Sequence, residues 1–120
     1  MRLVSRFAPP LLLMGLIYFL SAQPGLDSGL GWLDTVGRKL IHFGEYALLC
    51  FLWWRLLRTA MPDQRAVLAA LLISSLYAAT DELHQSFVDD RRGTPVDWAI
   101  DTAGAAAAAF ALSIRRRVAA

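Results

Sequence analysis

Four long stretches in which apolar residues predominate and charges are few constrain this chain more than any other feature of its sequence. They cover residues 7–22, 40–57, 66–86 and 96–114. A helix rises about 1.5 Å per residue, so about 20 apolar residues cross the roughly 30 Å hydrocarbon layer of a bilayer. None of the four stretches carries a polar face along its whole length, as a surface helix of a soluble protein would. The pattern therefore predicts an all-α, integral membrane four-helix bundle.

The composition excludes several other classes of protein. Hydrophobic residues make up 57% of the 120 residues and charged residues only 18%, whereas soluble domains carry about 25% charged residues and disordered chains are poor in apolar ones. Cys50 is the only cysteine, which excludes a disulfide scaffold. A net charge of +2 is too small to indicate a nucleic-acid partner. The length fits a single domain over residues 1–120.

The first stretch has two interpretations, a cleaved signal peptide or a retained helix. Arg2 and Arg6 give it a basic start, as in a signal peptide. A cleavage site prefers small residues at both ends of the triplet before the cut, and Leu20 is not small. The adjacent prolines at 9–10 fit the opening turn of a helix. We therefore expect a retained first helix that begins near these prolines.

The basic residues predict the orientation of the bundle. Four spans place both termini on one side of the membrane, together with eight of the twelve basic residues: Arg2, Arg6, Arg55, Arg58, Arg65, Arg115, Arg116 and Arg117. The other side has only four: Arg38, Lys39, Arg91 and Arg92. Short cytoplasmic loops are rich in Lys and Arg, so both termini are expected in the cytoplasm.

The segments between the stretches indicate turns and interface anchors. Residues 23–38 contain four glycines and a proline, which is typical of a loop. Residues 58–65 form a short turn, and Trp53 and Trp54 before it are interpreted as membrane-interface anchors. Gly104, with a second small residue four positions later, predicts the close approach of a neighbouring helix.

Polar residues concentrate at the outer ends of three predicted helices. The second helix starts with Lys39, His42, Glu45 and Tyr46, the third ends with Asp81, Glu82, His84 and Gln85, and the fourth starts with Asp97 and Asp101. Offsets of three and four place Lys39, His42 and Tyr46 along one helix face. A carboxylate at the centre of a membrane helix disfavours insertion by roughly 2.5–3.5 kcal/mol, so such groups must pair or line a wet cavity. We expect one shared polar site.

Two of these segments resemble the motifs of a known family. Residues 39–46, KLIHFGEY, resemble the opening motif of the VanZ-like family of small bacterial membrane proteins. Residues 81–87, DELHQSF, resemble the second motif, which continues in the same order and spacing with Arg91, Asp97, Asp101 and Gly104. The chain departs from the family pattern at Arg38, where an aspartate is frequent, and at residues 89–90, where Pro-Gly is frequent.

The resemblance implies a location and a partner class. It points to a multi-pass protein of the bacterial cytoplasmic (inner) membrane that forms part of the cell envelope. Its partner would be a membrane lipid or a lipid-linked envelope molecule. The family takes its name from a member linked to low-level resistance to teicoplanin, a glycopeptide antibiotic. The resemblance does not imply a particular reaction.

Three functions remain open on the residues themselves. In the first, the site binds a lipid or cell-wall-precursor headgroup or a glycopeptide-related ligand. Lys39 and Arg91 hold an anionic group, and the other binding candidates are Tyr46, Asp81, Glu82, Gln85 and Asp97. In the second, the site is catalytic, with acid–base or metal-dependent chemistry on a lipid-linked substrate carried by His42, Glu45, His84 and Asp101. His42 and His84 are the candidate ligands of a divalent metal, although no recognised metal motif is present. In the third, the polar residues only lock the helices in register.

Overall fold

Four α-helices make up the bundle. A computed structural model describes residues 2–21, 32–85, 87 and 95–119. The helices are α1 (Arg2–Ser21), α2 (Trp32–Leu57), α3 (Asp63–Gln85) and α4 (Pro95–Ala119). The described residues contain no strand. The expected all-helical fold is confirmed.

The first helix begins earlier than its two prolines suggested. α1 starts at Arg2, so Pro9 and Pro10 lie inside it rather than in its opening turn. Proline has no N–H group, and Pro9 therefore leaves the carbonyl of Ser5, four residues earlier, without its helical donor. The guanidinium of Arg55 on α2 donates to that carbonyl at 3.4 Å. A neighbouring helix thus supplies a donor that the proline removed.

The second helix also begins earlier than expected. The glycines and the proline of residues 23–38 predict a loop, yet α2 is helical from Trp32. A single glycine costs only about 1 kcal/mol in a helix interior, so Gly37 weakens the first turns without ending them. The rest of the expected loop, residues 23–31, lies outside the described residues.

The turn between α2 and α3 is short, as expected. The backbone N–H of Met61 donates to the carbonyl of Leu57 at 3.1 Å, and the N–H of Ala66 donates to the carbonyl of Pro62 at 2.9 Å. The two bonds satisfy backbone groups at the adjoining helix ends. Asp63 is the first residue of α3, where a carboxylate interacts favourably with the helix dipole.

Contacts between the helices define their directions. The start of α1 meets the end of α2 through Ser5 and Arg55, and the end of α1 meets the end of α3, where the rings of Tyr18 and His84 stack. α2 and α4 pack most extensively and run in the same direction. In the described part of the chain α1 packs on α2 and α3 but not on α4.

Small residues allow α2 and α4 to approach closely. A Cβ atom added to Gly104 would lie 2.1 Å from the carbonyl oxygen of Phe43, a distance at which no side-chain carbon fits. Ala105 beside it is fully buried, and Ala109 is almost so. The expected close helix approach at Gly104 is therefore present, and α2 is the helix that makes it.

Large apolar side chains are exposed on every helix of the bundle. Leu12, Leu40, Leu76 and Phe110 are 66–72% exposed, one on each helix. The segments Val36–Leu57 and Asp63–His84 are long and apolar enough to cross a membrane, and only 28% and 33% of their most apolar windows are buried inside the bundle. The apolar segment of α1, Phe7–Phe19, is shorter. A core helix of a soluble protein would be mostly buried, so this surface suits lipid.

Candidate functional site

Three helices bring six polar side chains together at one end of the bundle. α2 contributes three of them, α3 one and α4 two. We call this group the three-helix polar cluster, and its members are Lys39, His42, Tyr46, Asp81, Asp97 and Asp101. It lies beside the close approach of Gly104 to Phe43, which holds α2 and α4 together at this level.

The inner part of the cluster is almost closed to solvent. Tyr46 is fully buried, and Asp81 and Asp101 are each only 3% exposed. The hydroxyl of Tyr46 donates to Oδ2 of Asp81 at 3.3 Å. His42 Nδ1 lies 3.4 Å from Oδ1 of Asp101. Two carboxyl groups and one imidazole from three different helices are therefore packed against each other below the surface.

The ligand-type atoms of this inner part are unusually close. One atom from each of His42, Asp81 and Asp101 can be chosen so that all three lie within 4.8 Å of one another. Among the residues that the structure describes, neither His42 Nδ1 nor Asp101 Oδ1 has a hydrogen-bond partner. Their 3.4 Å separation is well beyond the 2.7–2.9 Å that is usual for a charge-assisted hydrogen bond. Buried polar atoms are normally satisfied, so this arrangement is incomplete.

An ion pair lies at the outer rim of the cluster. Lys39 Nζ is 3.7 Å from Oδ1 of Asp97, and the two side chains are 40% and 35% exposed. Each partner is one helical turn from an inner residue: Lys39 precedes His42 on α2, and Asp97 precedes Asp101 on α4. The two helices thus carry two polar pairs, one half-exposed and one buried, stacked along their contact.

The remaining predicted site residues either lie outside this cluster or fall outside the described residues. Glu45 and Glu82 are partly exposed, and neither belongs to the close set of ligand atoms found among the described residues. His84 lies outside that set and stacks on Tyr18, with ring centroids 4.2 Å apart. The side chain of Gln85 and the whole of Arg91 lie outside the described residues.

Several polar contacts near the site were not anticipated from the sequence. The hydroxyl of Tyr77 donates to the carbonyl of Met14 on α1 at 2.5 Å. Ser75 of α3 and Thr102 of α4 share a hydrogen bond of 3.1 Å. No charge marks these residues, so only their polarity within apolar stretches could have indicated them. They attach α1 and α4 to α3 below the cluster.

A second polar cluster lies at the opposite end of the bundle, beside the α2–α3 turn. Trp54 donates its indole N–H to Oδ1 of Asp63 at 2.9 Å, and the guanidinium of Arg58 lies 4.8 Å from the centre of the Trp54 ring. We call Trp54, Arg58 and Asp63 the turn-side cluster. Trp54 is only 5% exposed, so its interpretation as an interface anchor is wrong; it is a packed side chain that closes the turn.

The fold and the cluster together define a class of protein. Helices with exposed apolar side chains surround a buried group of ionisable side chains at one end, an arrangement that is compatible with a small membrane protein that has a polar site. The family model VanZ/LLP1 matches residues 7–116, a range that includes most of α1 and α4 and all of α2 and α3. The chain belongs to this family, as its two motifs indicated. Comparisons with curated proteins and with solved structures gave no match.

Proposed function

We propose that this protein is a multi-pass protein of the bacterial cytoplasmic membrane with four spans and both termini in the cytoplasm. Its three-helix polar cluster faces the outer surface and binds the phosphate-bearing headgroup of a lipid or a lipid-linked cell-wall precursor. The alternation of the helix directions and the excess of basic residues at the opposite end support this orientation. Membership of the VanZ/LLP1 family supports the cell-envelope setting.

The burial of Asp81 and Asp101 is the observation that carries the proposal. Both are 3% exposed, and Asp101 Oδ1 accepts no hydrogen bond in the described part of the chain. A buried carboxyl group that lacks its hydrogen bonds destabilises the fold. For a single residue a structural lock could explain this cost, but a whole set of ionisable side chains kept together favours a functional site.

The rim provides the entry to these buried groups. The Lys39–Asp97 pair is half-exposed and long at 3.7 Å, and such pairs contribute only about 0–1 kcal/mol. An incoming phosphate can therefore compete with Asp97 for the Lys39 ammonium. Below the rim, the hydroxyl of Tyr46 and the ring of His42 provide hydrogen-bonding groups for the rest of the headgroup.

Native mass spectrometry of the full chain in detergent tests headgroup binding, with a polyprenyl phosphate and phosphatidylglycerol as probes. We expect wild type to retain one of these lipids and Lys39→Gln to lower its occupancy at least fivefold. Arg58→Gln is the matched control, because Arg58 is an exposed cation of the turn-side cluster. Equal occupancy in wild type and Lys39→Gln, or an equal loss in Arg58→Gln, would contradict the proposal.

Cysteine labelling tests the orientation. In a Cys50→Ala background, a single cysteine is placed at Phe87, which is 80% exposed after α3, or at Ala60 in the exposed α2–α3 turn. A membrane-impermeant maleimide should label the Phe87→Cys variant in intact cells. It should label Ala60→Cys only after the cells are opened. The reverse pattern would overturn the proposed orientation.

Catalysis at the same place is the second candidate function. A histidine whose ring nitrogen faces a carboxylate is the arrangement of a general base and its orienting partner, and His42 and Asp101 have this geometry. The substrate would be a phosphoester or acyl bond of a lipid-linked molecule. Turnover of a polyprenyl pyrophosphate that is lost in His42→Ala and kept in His84→Ala would favour catalysis over binding alone.

Antibiotic tolerance provides a cellular measurement for either function. We propose that expression of the protein raises the teicoplanin concentration that inhibits growth, and that Lys39→Gln removes this effect at equal membrane abundance. An unchanged inhibitory concentration on expression of the wild type would separate this chain from the teicoplanin phenotype. The binding measurement would still test the headgroup site.

A further inference from the structure

Two carboxyl groups and one imidazole make up the inner part of the three-helix polar cluster. With both carboxyl groups ionised, Asp81 and Asp101 bring two negative charges into a nearly solvent-free space. A protonated His42 would provide one positive charge beside them. Lys39 lies farther out and pairs with Asp97 at the rim. A divalent cation among the three inner side chains would neutralise both carboxylates, and buried charges persist when they are paired or bound to metal.

The distances fit a metal centre. Zinc binds histidine nitrogen and carboxylate oxygen at about 2.0–2.2 Å, and tetrahedral geometry then separates two ligand atoms by about 3.4 Å. His42 Nδ1 and Asp101 Oδ1 are 3.4 Å apart. Both atoms lack a hydrogen-bond partner within the described ranges, so both are available to a cation. The chosen ligand atoms of all three residues lie within 4.8 Å of one another, so binding would require the Asp81 carboxylate to move closer to the other two.

We propose that His42, Asp81 and Asp101 bind one divalent cation, Zn²⁺ or Mn²⁺, at the base of the three-helix polar cluster. An imidazole ligand favours these ions over Mg²⁺ and Ca²⁺, which prefer oxygen ligands alone. His84 is not a ligand in this site, in contrast to the pairing of the two histidines expected from the sequence. The hydroxyl of Tyr46, which donates to Asp81, orients that carboxylate from behind, as outer partners of metal ligands commonly do.

Three protein ligands leave a coordination position for an exogenous group. The use of this open position rests on the proposed function. It accepts one phosphate oxygen of the headgroup, while Lys39 binds another phosphate oxygen. The cation thereby supplies the positive charge that a phosphate needs next to Asp81 and Asp101. The substrate class is accordingly a phosphate or pyrophosphate ester whose binding depends on the metal.

Calorimetric titration with ZnCl₂ and with MnCl₂ tests the cation site. The full chain, freed of any affinity tag and treated with a chelator, is titrated in detergent micelles. We expect one ion per chain for wild type and an affinity at least tenfold lower for Asp101→Asn and for His42→Gln. His84→Gln is the matched control and should bind like wild type. Circular dichroism confirms that each variant is folded, and Asp81→Asn replaces any variant that is not.

The outcomes separate the two proposals. Wild type without a stoichiometric ion, or equal affinity in wild type and the folded Asp101→Asn variant, would overturn the cation site; so would an equal loss in His84→Gln. The lipid measurement is then repeated with and without chelator. Lipid binding that needs Lys39 but resists the chelator leaves the headgroup site intact and refutes the metal-dependent contact. Zinc binding without lipid binding refutes the headgroup site alone.

Discussion

The two polar clusters at opposite ends of the bundle differ in how completely their groups are satisfied. The turn-side cluster joins residues close in sequence, and its main hydrogen bond, from Trp54 to Asp63, is 2.9 Å long. The three-helix polar cluster joins residues from three helices, and its contact between His42 and Asp101 is 3.4 Å long and forms no hydrogen bond. The first has the geometry of a structural contact. The second has the geometry of buried polar groups that come close without forming this hydrogen bond.

This difference separates stability from function. A short, satisfied contact beside a turn fixes the connection of α2 to α3, so its removal should destabilise the protein. A buried and incompletely bonded cluster contributes little to stability and gains its partners when a ligand binds. Substitutions at the two ends should therefore affect different measurements, and their comparison tests the interpretation of each cluster.

The largest effect on the three-helix polar cluster is expected from Gly104→Ala. Its added methyl group would lie 2.1 Å from the Phe43 carbonyl oxygen, so α2 and α4 must separate, and overpacking of this kind costs about 1–3 kcal/mol or more. Denaturant titration in mixed micelles measures the free energy of unfolding. Gly44→Ala is the matched control, because nothing lies within 4 Å of its added Cβ. Similar stability of the two variants would show that the close approach is not required.

The next effect is expected in the turn-side cluster. Trp54→Phe removes the hydrogen bond to Asp63 and weakens the contact with Arg58, whereas Trp53→Phe makes the same change at the neighbouring position. The indole N–H of Trp53 has no partner among the described residues. A hydrogen bond to a partly exposed carboxylate contributes about 1–2 kcal/mol. The free energy of unfolding should therefore fall by about 1–2 kcal/mol more in Trp54→Phe than in Trp53→Phe. Equal losses in the two variants would refute the structural role of this bond.

A smaller effect on stability is expected from Asp101→Asn. The substitution removes one of two buried negative charges and still offers an oxygen atom to His42. The free energy of unfolding should therefore fall by less than about 1 kcal/mol, or rise. Lipid occupancy, measured on the same preparation, should fall strongly. A loss of about 3 kcal/mol or more would instead identify the cluster as a structural lock.

The smallest effect is expected at the rim. Lys39 and Asp97 form a half-exposed pair, so a double-mutant cycle of Lys39→Gln and Asp97→Asn should give a coupling free energy of about 0.2–1 kcal/mol. High salt should reduce this value further. A salt-resistant coupling above about 2 kcal/mol would show that the rim pair holds the helices together and is not exchangeable for a ligand.

Much of the fold could be predicted because a long apolar stretch indicates a helix without any information from the rest of the chain. The four stretches indicated four helices, and the spacing of Lys39, His42 and Tyr46 placed them on one face of α2, where each now contacts a carboxylate of α3 or α4. The residues at which the first two helices begin could not be predicted as well. Pro9, Pro10 and Gly37 are helix breakers by local preference, but contacts with neighbouring helices and the low cost of one glycine override that preference.

Which residues form the candidate site could be predicted from the sequence only in part. Both histidines lie in family motifs, and no local signal in the sequence distinguishes them. Their surroundings differ because α4 packs against α2 at the level of His42, while α1 presents Tyr18 to His84. Which histidine meets the carboxylates therefore depends on helix packing, which the spacing of residues along one helix does not determine.

The sequence by itself determined the helical class, the number of helices, the family and the end of the bundle at which the ionisable residues gather. These properties follow from hydrophobic length and from periodicity within single helices. Only the tertiary structure decided that His42, Asp81 and Asp101 form the inner group, that His84 stands apart on Tyr18, and that Lys39 is balanced by Asp97. The physical reason is that side-chain atoms on different helices come within about 3–5 Å only where the helices pack closely, and the volume of the residues at the helix contact sets how closely they pack. At the contact between α2 and α4, the close approach is possible because Gly104 has no side chain.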